Sequence, residues 1–360
     1  MAIEDLMQDL EHLTLFRTQL TRENFEGSGD GGAYFWNTGS DTGVKVIPIR
    51  YNSPLTKALT EAAIGEVLTK PSEIKEDRLE GIVTHYDHKV FTNQDNTYLA
   101  LKIEHAGVSL IGLLNQNSRL KNKGIFKVLS NVSGAISYTH EKGIHFADLS
   151  LKNIYCHTID GRITDAKLGD FGNSALVGRN DDLVKKAREM DLQPSDLNKE
   201  GETPGGTFEY MAPEQGKRRE LQSDVYGLGI ICYELFTGKN IARKLKNTDQ
   251  LNFSYIKSHN DRREELIPEF EQAVDTRLSR LKKQYNQAIE NFKYLVKSAI
   301  DFRQDKRPKV EQIHKYTKAI NNALYGNNSE LETLNQETLG ISAADKIAAL
   351  MYEHQIEPIQ

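Results

Sequence analysis

Short runs in which apolar and β-branched residues predominate mark the first third of the chain. The segments 33–36, 43–49 and 98–104 have this character, which is typical of strands packed on one face. Between the last two, apolar residues recur at helical spacing from Leu55 to Leu68, after a Ser-Pro start signal and shortly before a proline. The pattern predicts a small β-sheet accompanied by one helix.

Helical periodicity dominates the rest of the chain. It predicts an apolar helix from Leu221 to Gly238, a long charged amphipathic stretch from Arg262 to Ile300, and a helix from Pro308 to Leu324. A shorter charged helix is predicted at 181–190, and another, with a small apolar face, at 342–352. Leucines at positions 6, 10, 13 and 15 predict that the N-terminus packs on the sheet. The fold class is therefore α+β, with a smaller mainly β part and a larger mainly α part.

Composition narrows the class of protein further. A chain of 360 residues with 38% hydrophobic residues is long enough for two lobes with their own cores, and a net charge of −5 argues against a broad nucleic-acid footprint. No apolar run approaches the ~20 residues that span a bilayer, and the acidic N-terminus is unlike a secretory signal. Cys156 and Cys232 lie far apart in apolar surroundings, which predicts reduced core residues and a cytoplasmic protein.

Candidate chemistry is concentrated between Gly143 and Gly172. Asp148 is followed five residues later by Asn153, and Asp170 opens an Asp-Phe-Gly turn. Between them, two strand-like segments flank Asp160-Gly161, a hairpin signal that predicts Asn153 and Asp170 side by side. In metal-assisted phosphoryl transfer, one Asp orients the attacking hydroxyl, while an Asn and a second Asp hold Mg²⁺. Each fragment alone also fits a cap or a turn.

Other motifs occur in the matching order. An Ala-Pro-Glu sequence ends at Glu214, Asp224 opens the apolar helix, and Arg307 lies in a late Asp-Lys-Arg-Pro segment. Together these resemble the large lobe of the eukaryotic-type protein kinase family. In that family the glutamate pairs with the distant arginine, and the helix aspartate braces the catalytic loop. Gly206-Thr207 resembles the serine/threonine-specific form, in which Thr207 bridges Asp148 and the substrate loop.

The resemblance implies a two-lobe kinase-like fold and a domain plan. It predicts an N-terminal helical extension at 1–20, a mainly β N-lobe with one regulatory helix at 21–104, and a mainly α C-lobe at 105–325. The activation segment would be residues 170–214, longer than usual because of the charged helix, and 326–360 would be a tail. ATP and Mg²⁺ (or Mn²⁺) would be the cofactors and a protein the substrate, with Asp148 as catalytic residue and Asn153 and Asp170 as metal ligands.

Binding of the ATP phosphates would require a glycine-rich turn and a lysine. Gly27, Ser28, Gly29 and Gly32 fit Gly-x-Gly-x-x-Gly, a pattern that also fits a flexible surface loop. Lys45, inside a β-branched run, is the candidate for the α- and β-phosphates.

The predicted helix 55–68 offers two carboxylates to Lys45, Glu61 and Glu66. We favour Glu61, since apolar residues follow it at three and seven positions, and expect Glu66 to face solvent. By resemblance, Glu104 to Ala106 would be the hinge that recognises adenine through backbone groups.

The chain also departs from the family pattern. Phe146 and Ala147 stand where His-Arg usually precedes the catalytic Asp, so an arginine that would pair with a phosphorylated loop is missing. We therefore predict activity that does not depend on that contact. Ser150 replaces a lysine common in serine/threonine kinases, and Lys152 is predicted to supply the positive charge instead.

These departures leave other functions open. A pseudokinase scaffold that binds nucleotide and a partner, or a small-molecule phosphotransferase, would share parts of the motif set. The inserted helix fits either a solvated loop or a substrate-docking or autoinhibitory element, and the tail fits docking on the body or on a partner. With its irregular loop before Asp148, the chain also resembles kinases that bacteria deliver into host cells. Such an origin would place the protein in the host cytosol.

Overall fold

A computed structural model describes residues 3–29, 32–50, 55–69, 81–116, 119–199, 205–215, 219–239 and 253–337 of the chain. They form a sheet-based small lobe and a helical large lobe, as the α+β prediction requires. The small lobe contains α1 (Ile3–Leu10), β1 (Thr14–Leu15), β2 (Thr18–Gln19), β3 (Phe25–Gly29), β4 (Gly32–Trp36), β5 (Thr42–Pro48), α2 (Leu55–Leu68), β6 (His85–Asn93) and β7 (Asn96–Glu104). The large lobe contains β8 (Val108–Ser109), α3 (Leu110–Gln116), α4 (Asn122–Glu141), β9 (Ile144–His145), β10 (Ile154–Ile159), β11 (Arg162–Leu168), a 3₁₀ turn (Phe171–Asn173), β12 (Ala175–Leu176), α5 (Asp181–Glu189), α6 (Pro194–Asn198), α7 (Leu221–Thr237), α8 (Phe253–Arg277), α9 (Ser279–Lys282), α10 (Asn286–Ala299), a 3₁₀ turn (Gln304–Lys306), α11 (Val310–Leu324) and α12 (Ser329–Gln336).

The small lobe is built on an antiparallel five-stranded sheet in the order β3-β4-β5-β7-β6. One face of this sheet packs against α1, where Leu10 joins Phe35, Val44 and other buried side chains. The opposite face packs against α2 through Ala62 and Leu101. Because strand residues alternate between faces, this second face carries Lys45 toward the large lobe.

The N-terminal segment is only partly the helical extension that the sequence predicted for 1–20. The helix α1 ends at Leu10, and a small hairpin of β1 and β2 follows. Its turn contains Phe16 and Arg17 at positive φ, 51° and 70°, a conformation that ends helical periodicity. The predicted packing of the leucine series on the small lobe is confirmed, since Leu6, Leu10 and Leu15 are all buried.

The large lobe encloses the main hydrophobic core. Phe126 of α4 contacts Phe236 of α7 and Phe292 of α10, with ring centroids 5.6 and 5.5 Å apart. The predicted hairpin is confirmed as β10 and β11, and its turn residues Asp160 and Gly161 both have positive φ, as a tight two-residue hairpin requires. This hairpin lies over α4 and carries the candidate metal ligands at its base.

The stretch from Arg262 to Ile300 is divided into α8, α9 and α10 rather than continuous. The break falls between Leu278 and Tyr285, two buried residues that anchor the turn. Periodicity cannot reveal such a break, because neither residue is a glycine or a proline.

The C-terminal tail begins with α12, whose Leu331 and Leu334 are buried against the large lobe. The helix predicted at 342–352 lies outside the described residues, and the domain boundaries stay predictions. Cys156 and Cys232 are free and buried, as predicted. In the described part of the chain, no helix is both long and apolar enough to cross a membrane.

Candidate active site

Asp148 lies on the loop between β9 and β10, with both carboxylate oxygens bound. Its Oδ1 accepts hydrogen bonds from the Thr207 backbone N at 2.6 Å and from Thr207 Oγ1 at 2.7 Å. Its Oδ2 accepts from Asn173 Nδ2 at 3.1 Å. These contacts join the loop that carries Asp148 to Asn173 and Thr207, which lie near the two ends of the segment 170–214.

The loop preceding Asp148 is held in an uncommon backbone conformation. Ala147 has φ 70°, a region in which a non-glycine residue is strained. The buried carboxylate of Asp224 stabilises this geometry by accepting from the backbone N of Phe146 and of Ala147, each at 2.9 Å. His140 Nε2 donates to the same carboxylate at 3.0 Å. Asp224 therefore braces the loop from α7.

Asn153 and Asp170 are brought together at the base of the hairpin. Gly169 N donates to the Asn153 carbonyl at 3.0 Å, and Asn153 Nδ2 donates to the Asp148 carbonyl at 2.8 Å. That second bond uses the amide nitrogen of Asn153 and leaves its Oδ1 as a ligand for a cation. Asp170 adds a carboxylate from a left-handed position, φ 67°.

The donor chemistry of this pair fits Mg²⁺. Hard oxygen ligands suit Mg²⁺, which typically binds one or two protein carboxylates and takes further oxygens from substrate phosphates and water. Among the described residues no group of three or more His, Cys, Asp or Glu side chains could hold a metal by itself. A metal held by Asn153 and Asp170 would therefore depend on phosphate oxygens as well.

Lys45 lies between two carboxylates. Its Nζ is 2.7 Å from Glu61 Oε1 and 3.1 Å from Asp170 Oδ1. Burial by itself lowers the pKa of the ammonium, but Asp170 and Glu61 outweigh burial and hold it well above its ordinary value. Burial raises the pKa of Asp170, and Lys45 reverses this and lowers it. The lysine is therefore a cation and Asp170 a carboxylate.

Glu66, the other carboxylate considered for Lys45, has different partners. Its oxygens contact His88 Nδ1 and Lys186 Nζ, each at 2.5 Å. The expectation that Glu66 faces solvent is wrong, because its side chain is only 17% exposed. The partner Lys186 belongs to α5, an element whose position could not be inferred from helical spacing.

The glycine-rich segment forms the hairpin of β3 and β4. Gly27 pairs with Tyr34, Ser28 with Ala33, and Gly29 with Gly32. Residues 30 and 31 lie outside the described residues. Gly32 has φ 123°, and a Cβ there would overlap the Val46 carbonyl oxygen. A glycine is therefore required at this position by both backbone and space.

The predicted hinge follows β7. The Glu104 carboxylate is bound by Lys167 Nζ at 2.7 Å and Thr84 Oγ1 at 3.0 Å, so it is directed into the protein. Ala106 is buried. Recognition of a base by backbone groups of this segment stays a prediction. Lys152 is exposed on the loop that carries Asp148.

Comparison with known proteins shows the family. The family model described as "Protein kinase domain" matches residues 37–317. The chain belongs to the protein kinase family. A stretch of 168 residues is 32% identical to the serine/threonine-protein kinase AtPK1/AtPK6 of Arabidopsis thaliana and covers 44% of this chain and 31% of that protein. Another of 135 residues is 30% identical to the probable serine/threonine-protein kinase PknB of Lactococcus lactis subsp. lactis (strain IL1403), covering 37% of this chain and 18% of that protein. The chain thus aligns with under a third of each relative, and the glycine-rich segment precedes the matched range.

The Ala-Pro-Glu sequence that ends at Glu214 is tied to the large lobe by an ion pair. Arg307, fully buried, donates from Nη1 to Glu214 Oε1 at 2.6 Å and from Nη2 to Oε2 at 2.9 Å. Its guanidinium also lies over the Tyr226 ring, 5.1 Å from the centroid. A bidentate pair of this kind positions the segment that carries Thr207.

Three polar residues of the kinase site were missed from the sequence. Asn173 contacts Asp148, Lys199 donates to the Gly172 carbonyl at 2.6 Å, and Gln215 Nε2 donates to the Ala147 carbonyl. Asn173 directly follows the Asp-Phe-Gly turn, so its proximity to the candidate metal ligand Asp170 could have been predicted from the sequence. Lys199 and Gln215 belong to irregular segments, in which the spacing of residues does not predict where a side chain points.

Proposed function

We propose that the chain transfers the γ-phosphate of ATP to serine and threonine hydroxyls of protein substrates. The observation that carries this proposal is the ion pair of Lys45 with Glu61, formed while the same lysine contacts Asp170. These two contacts hold helix α2, Lys45 and Asp170 in fixed positions relative to one another. Such positioning supplies most of the catalysis in phosphoryl transfer.

The geometry of the site supports a role for each of these residues. Asp148 orients the substrate hydroxyl and accepts its proton, with Thr207 and Asn173 holding the carboxylate. Asn153 and Asp170 bind Mg²⁺ or Mn²⁺, which neutralises charge on the phosphates when bound.

The small-lobe side of the cleft binds the rest of ATP. Lys45 contacts the phosphates, the segment from Gly27 to Gly32 covers them, and the backbone of Glu104 and Ala106 receives the base. Lys152, exposed beside Asp148, supplies positive charge to the transferring group.

We also propose that activity does not require a phosphorylated activation segment. Ala147 provides no charge for a phosphate. Instead α5, inside the activation segment, contacts α2 through the pair of Lys186 and Glu66, and Leu183 of α5 is fully buried. This contact supports the position of α2 from which Glu61 reaches Lys45. The inserted helix therefore substitutes for the missing arginine.

Transfer of radiolabelled phosphate from ATP and Mg²⁺ to a generic basic protein tests the reaction. Asp148→Asn should lower the rate by about 100-fold or more, because it removes the base, and Asp170→Ala should abolish transfer by removing a metal ligand. Asp160→Asn, the same substitution on an exposed hairpin turn, is the matched control and should retain full activity. A rate for Asp148→Asn equal to wild type would overturn the assignment.

Phosphatase treatment tests the regulatory proposal. Treated and untreated protein should have the same transfer rate, because no arginine precedes Asp148 to read a phosphate. Intact mass spectrometry verifies that the treated protein carries no phosphate. A complete loss of activity after treatment would show that the segment does require phosphorylation.

One feature favours a second candidate function, a nucleotide-binding scaffold. Ser150, which stands where a lysine is common, is fully buried and supplies no cation beside Asp148. A scaffold would bind ATP and Mg²⁺, lose that binding in Asp170→Ala, and transfer no phosphate in the wild type. The labelling assay, run with a nucleotide-binding titration, separates the two functions.

We propose a cytoplasmic site of action, which the free, buried Cys156 and Cys232 support. We also propose that the tail docks on the kinase body or on a partner through the segment 342–352, which lies outside the described residues; α12, before it, packs on the large lobe. A protein substrate and no nucleic-acid partner agree with the net charge of −5. An origin among kinases that bacteria deliver into host cells stays a prediction.

A further inference from the structure

The last two residues of the 3₁₀ turn Phe171–Asn173 each contact a carboxylate of the candidate site. Gly172 N donates to Asp170 Oδ1 at 3.4 Å, and Asn173 Nδ2 donates to Asp148 Oδ2 at 3.1 Å. A shift of this short turn would therefore move the hydrogen-bond partners of both carboxylates.

The carbonyl groups of the same two residues are bound by cations from distant segments. Lys199 Nζ donates to the Gly172 carbonyl at 2.6 Å, and Arg219 Nη1 donates to the Asn173 carbonyl at 3.1 Å. Hydrogen bonds from charged donors are stronger than those from neutral donors. Two successive carbonyls of one turn are thus held by two side chains that lie outside the catalytic motifs.

Lys199 reaches the turn from the segment 170–214, which also carries α5. It directly follows α6, which packs against α2 and β12 and whose Leu197 is fully buried. Lys199 is only 4% exposed, and its φ of 50° is a left-handed conformation that is unfavourable for a lysine. Such a conformation persists only where the surrounding contacts hold it.

The charge of Lys199 also acts on Glu61, the partner of Lys45. Glu61 Oε1 accepts from Lys45, and Glu61 Oε2 lies 3.2 Å from the place that a Cβ on Gly172 would occupy. Burial raises the pKa of this carboxyl, and the charges of Lys45 and Lys199 both oppose that shift. The Glu61 carboxylate is therefore near two lysines, one from the sheet of the small lobe and one from the segment 170–214.

We propose that Lys199 is a positioning residue of the phosphoryl-transfer site, which holds the Gly172 carbonyl and so orients the Asp170 carboxylate toward the metal. Arg219 has the equivalent role on the side of the turn that contacts Asp148. The inference rests on the proposed function, since it takes Asp170 as a metal ligand. Both cations act through the backbone of the turn, and the segment 170–214 thereby acts on the transfer site as well as on α2.

Binding of ATP with and without Mg²⁺ measures the orientation of Asp170 apart from turnover. In calorimetric titrations, wild type should have a lower Kd for ATP in Mg²⁺ than in EDTA. Lys199→Met keeps an apolar stem and removes the ammonium, so it should raise the Kd in Mg²⁺ about fivefold or more and leave the Kd in EDTA within about twofold. Lys199→Arg keeps a charged donor and should retain most of the gain in affinity that Mg²⁺ provides.

Transfer kinetics provide a second measurement. Lys199→Met should lower kcat about tenfold and raise the Mg²⁺ concentration that gives the half-maximal rate, with little change in the KM for the protein substrate. Arg219→Met should lower kcat with an unchanged Mg²⁺ requirement, because the carbonyl it releases belongs to the residue that contacts Asp148. Lys185→Met, the same substitution on the exposed side of α5, is the matched control and should equal wild type.

Thermal unfolding verifies that each variant is folded under the assay conditions. A merely structural role of Lys199 would lower the folded fraction, and with it the number of active sites, without changing the Mg²⁺ requirement of the folded molecules. If Lys199→Met does not fold, Lys199→Gln, which removes the charge and leaves a polar group, takes its place in both measurements.

The outcomes distinguish this inference from the proposed function. Wild type that binds no ATP, or that binds ATP and transfers no phosphate, would overturn the proposed function. Wild type that binds and transfers, with a Lys199→Met variant whose Kd values and Mg²⁺ requirement are unchanged, leaves the function in place and overturns the positioning role. Equal impairment of Lys199→Arg and Lys199→Met would also overturn it, because the positive charge would then not be what holds the turn.

Discussion

At the scale of single residues, the Asp-Phe-Gly phenylalanine is held by two aromatic neighbours. The Phe171 ring lies 5.6 Å from Phe146 and 5.5 Å from His85, both in edge-to-face contact. His85 fits because α2 carries Gly65 beneath it, where a Cβ would overlap the imidazole. Burial, together with nearby Lys45, lowers the pKa of His85 to about 4. This column of rings is therefore uncharged at neutral pH.

The lowered pKa of His85 predicts acid sensitivity. Between pH 6.5 and about 4 the unfolded chain binds this proton and the folded protein does not, so stability is full above pH 6.5 and falls with pH by up to about 3 kcal/mol. His85→Phe keeps the ring contact and should remove this part of the loss. Urea unfolding at pH 7 and pH 4.5 measures it. An identical loss in variant and wild type would contradict the prediction.

At the scale of elements, the inserted helix α5 is more than a solvated loop. Leu183 is buried, Met190 just beyond the helix packs against the same two core clusters as Leu59 of α2, and Lys186 binds Glu66. The sequence predicted α5 from its charge and spacing, but not which helix it contacts. The pairing depends on the path of irregular residues on either side of α5, which periodicity does not describe.

A charge exchange tests whether this contact positions α2. Lys186→Glu should lower kcat about tenfold with little change in the KM for the protein substrate, because a repelled α2 weakens the reach of Glu61 to Lys45. Adding Glu66→Lys should restore part of the rate by recreating the pair. Lys185→Glu, on the exposed side of the same helix, is the control. Equal rates for Lys186→Glu and this control would show that α5 does not position α2.

At the scale of the whole molecule, the sheet is supported on its outer face by the N-terminal segment. Leu10 is fully buried with Leu20, Phe35 and Val44, in a core separate from that of the large lobe. Each lobe is therefore stabilised by its own hydrophobic core. The sheet that carries Lys45 depends on α1 for part of that core.

Leu10→Ala should destabilise the small lobe by about 2–5 kcal/mol through loss of buried volume. Hydrogen exchange should then be faster in β4 and β5, while α4 of the large lobe keeps its protection. Glu4→Ala, on the exposed side of α1, should change neither. Uniformly faster exchange in both lobes would contradict separate cores.

The sequence alone determined which residues carry the candidate chemistry and where most helices and strands lie. Asp148, Asn153 and Asp170 could be found because their spacing is local, and the hairpin between them is encoded by Asp160-Gly161, whose turn geometry few residues tolerate. The helices α2, α5, α7 and α11 followed from periodicity.

Tertiary structure decided which of these groups meet. Lys45 and Asp170 are 125 positions apart, and the choice of Glu61 over Glu66 depended on how α2 is rotated against the sheet and α5. Tyr34 likewise lies over Gly43 only because the two strands that carry them are paired. Local conformational preferences are short-ranged, so they specify elements, whereas the packing of distant side chains specifies the site.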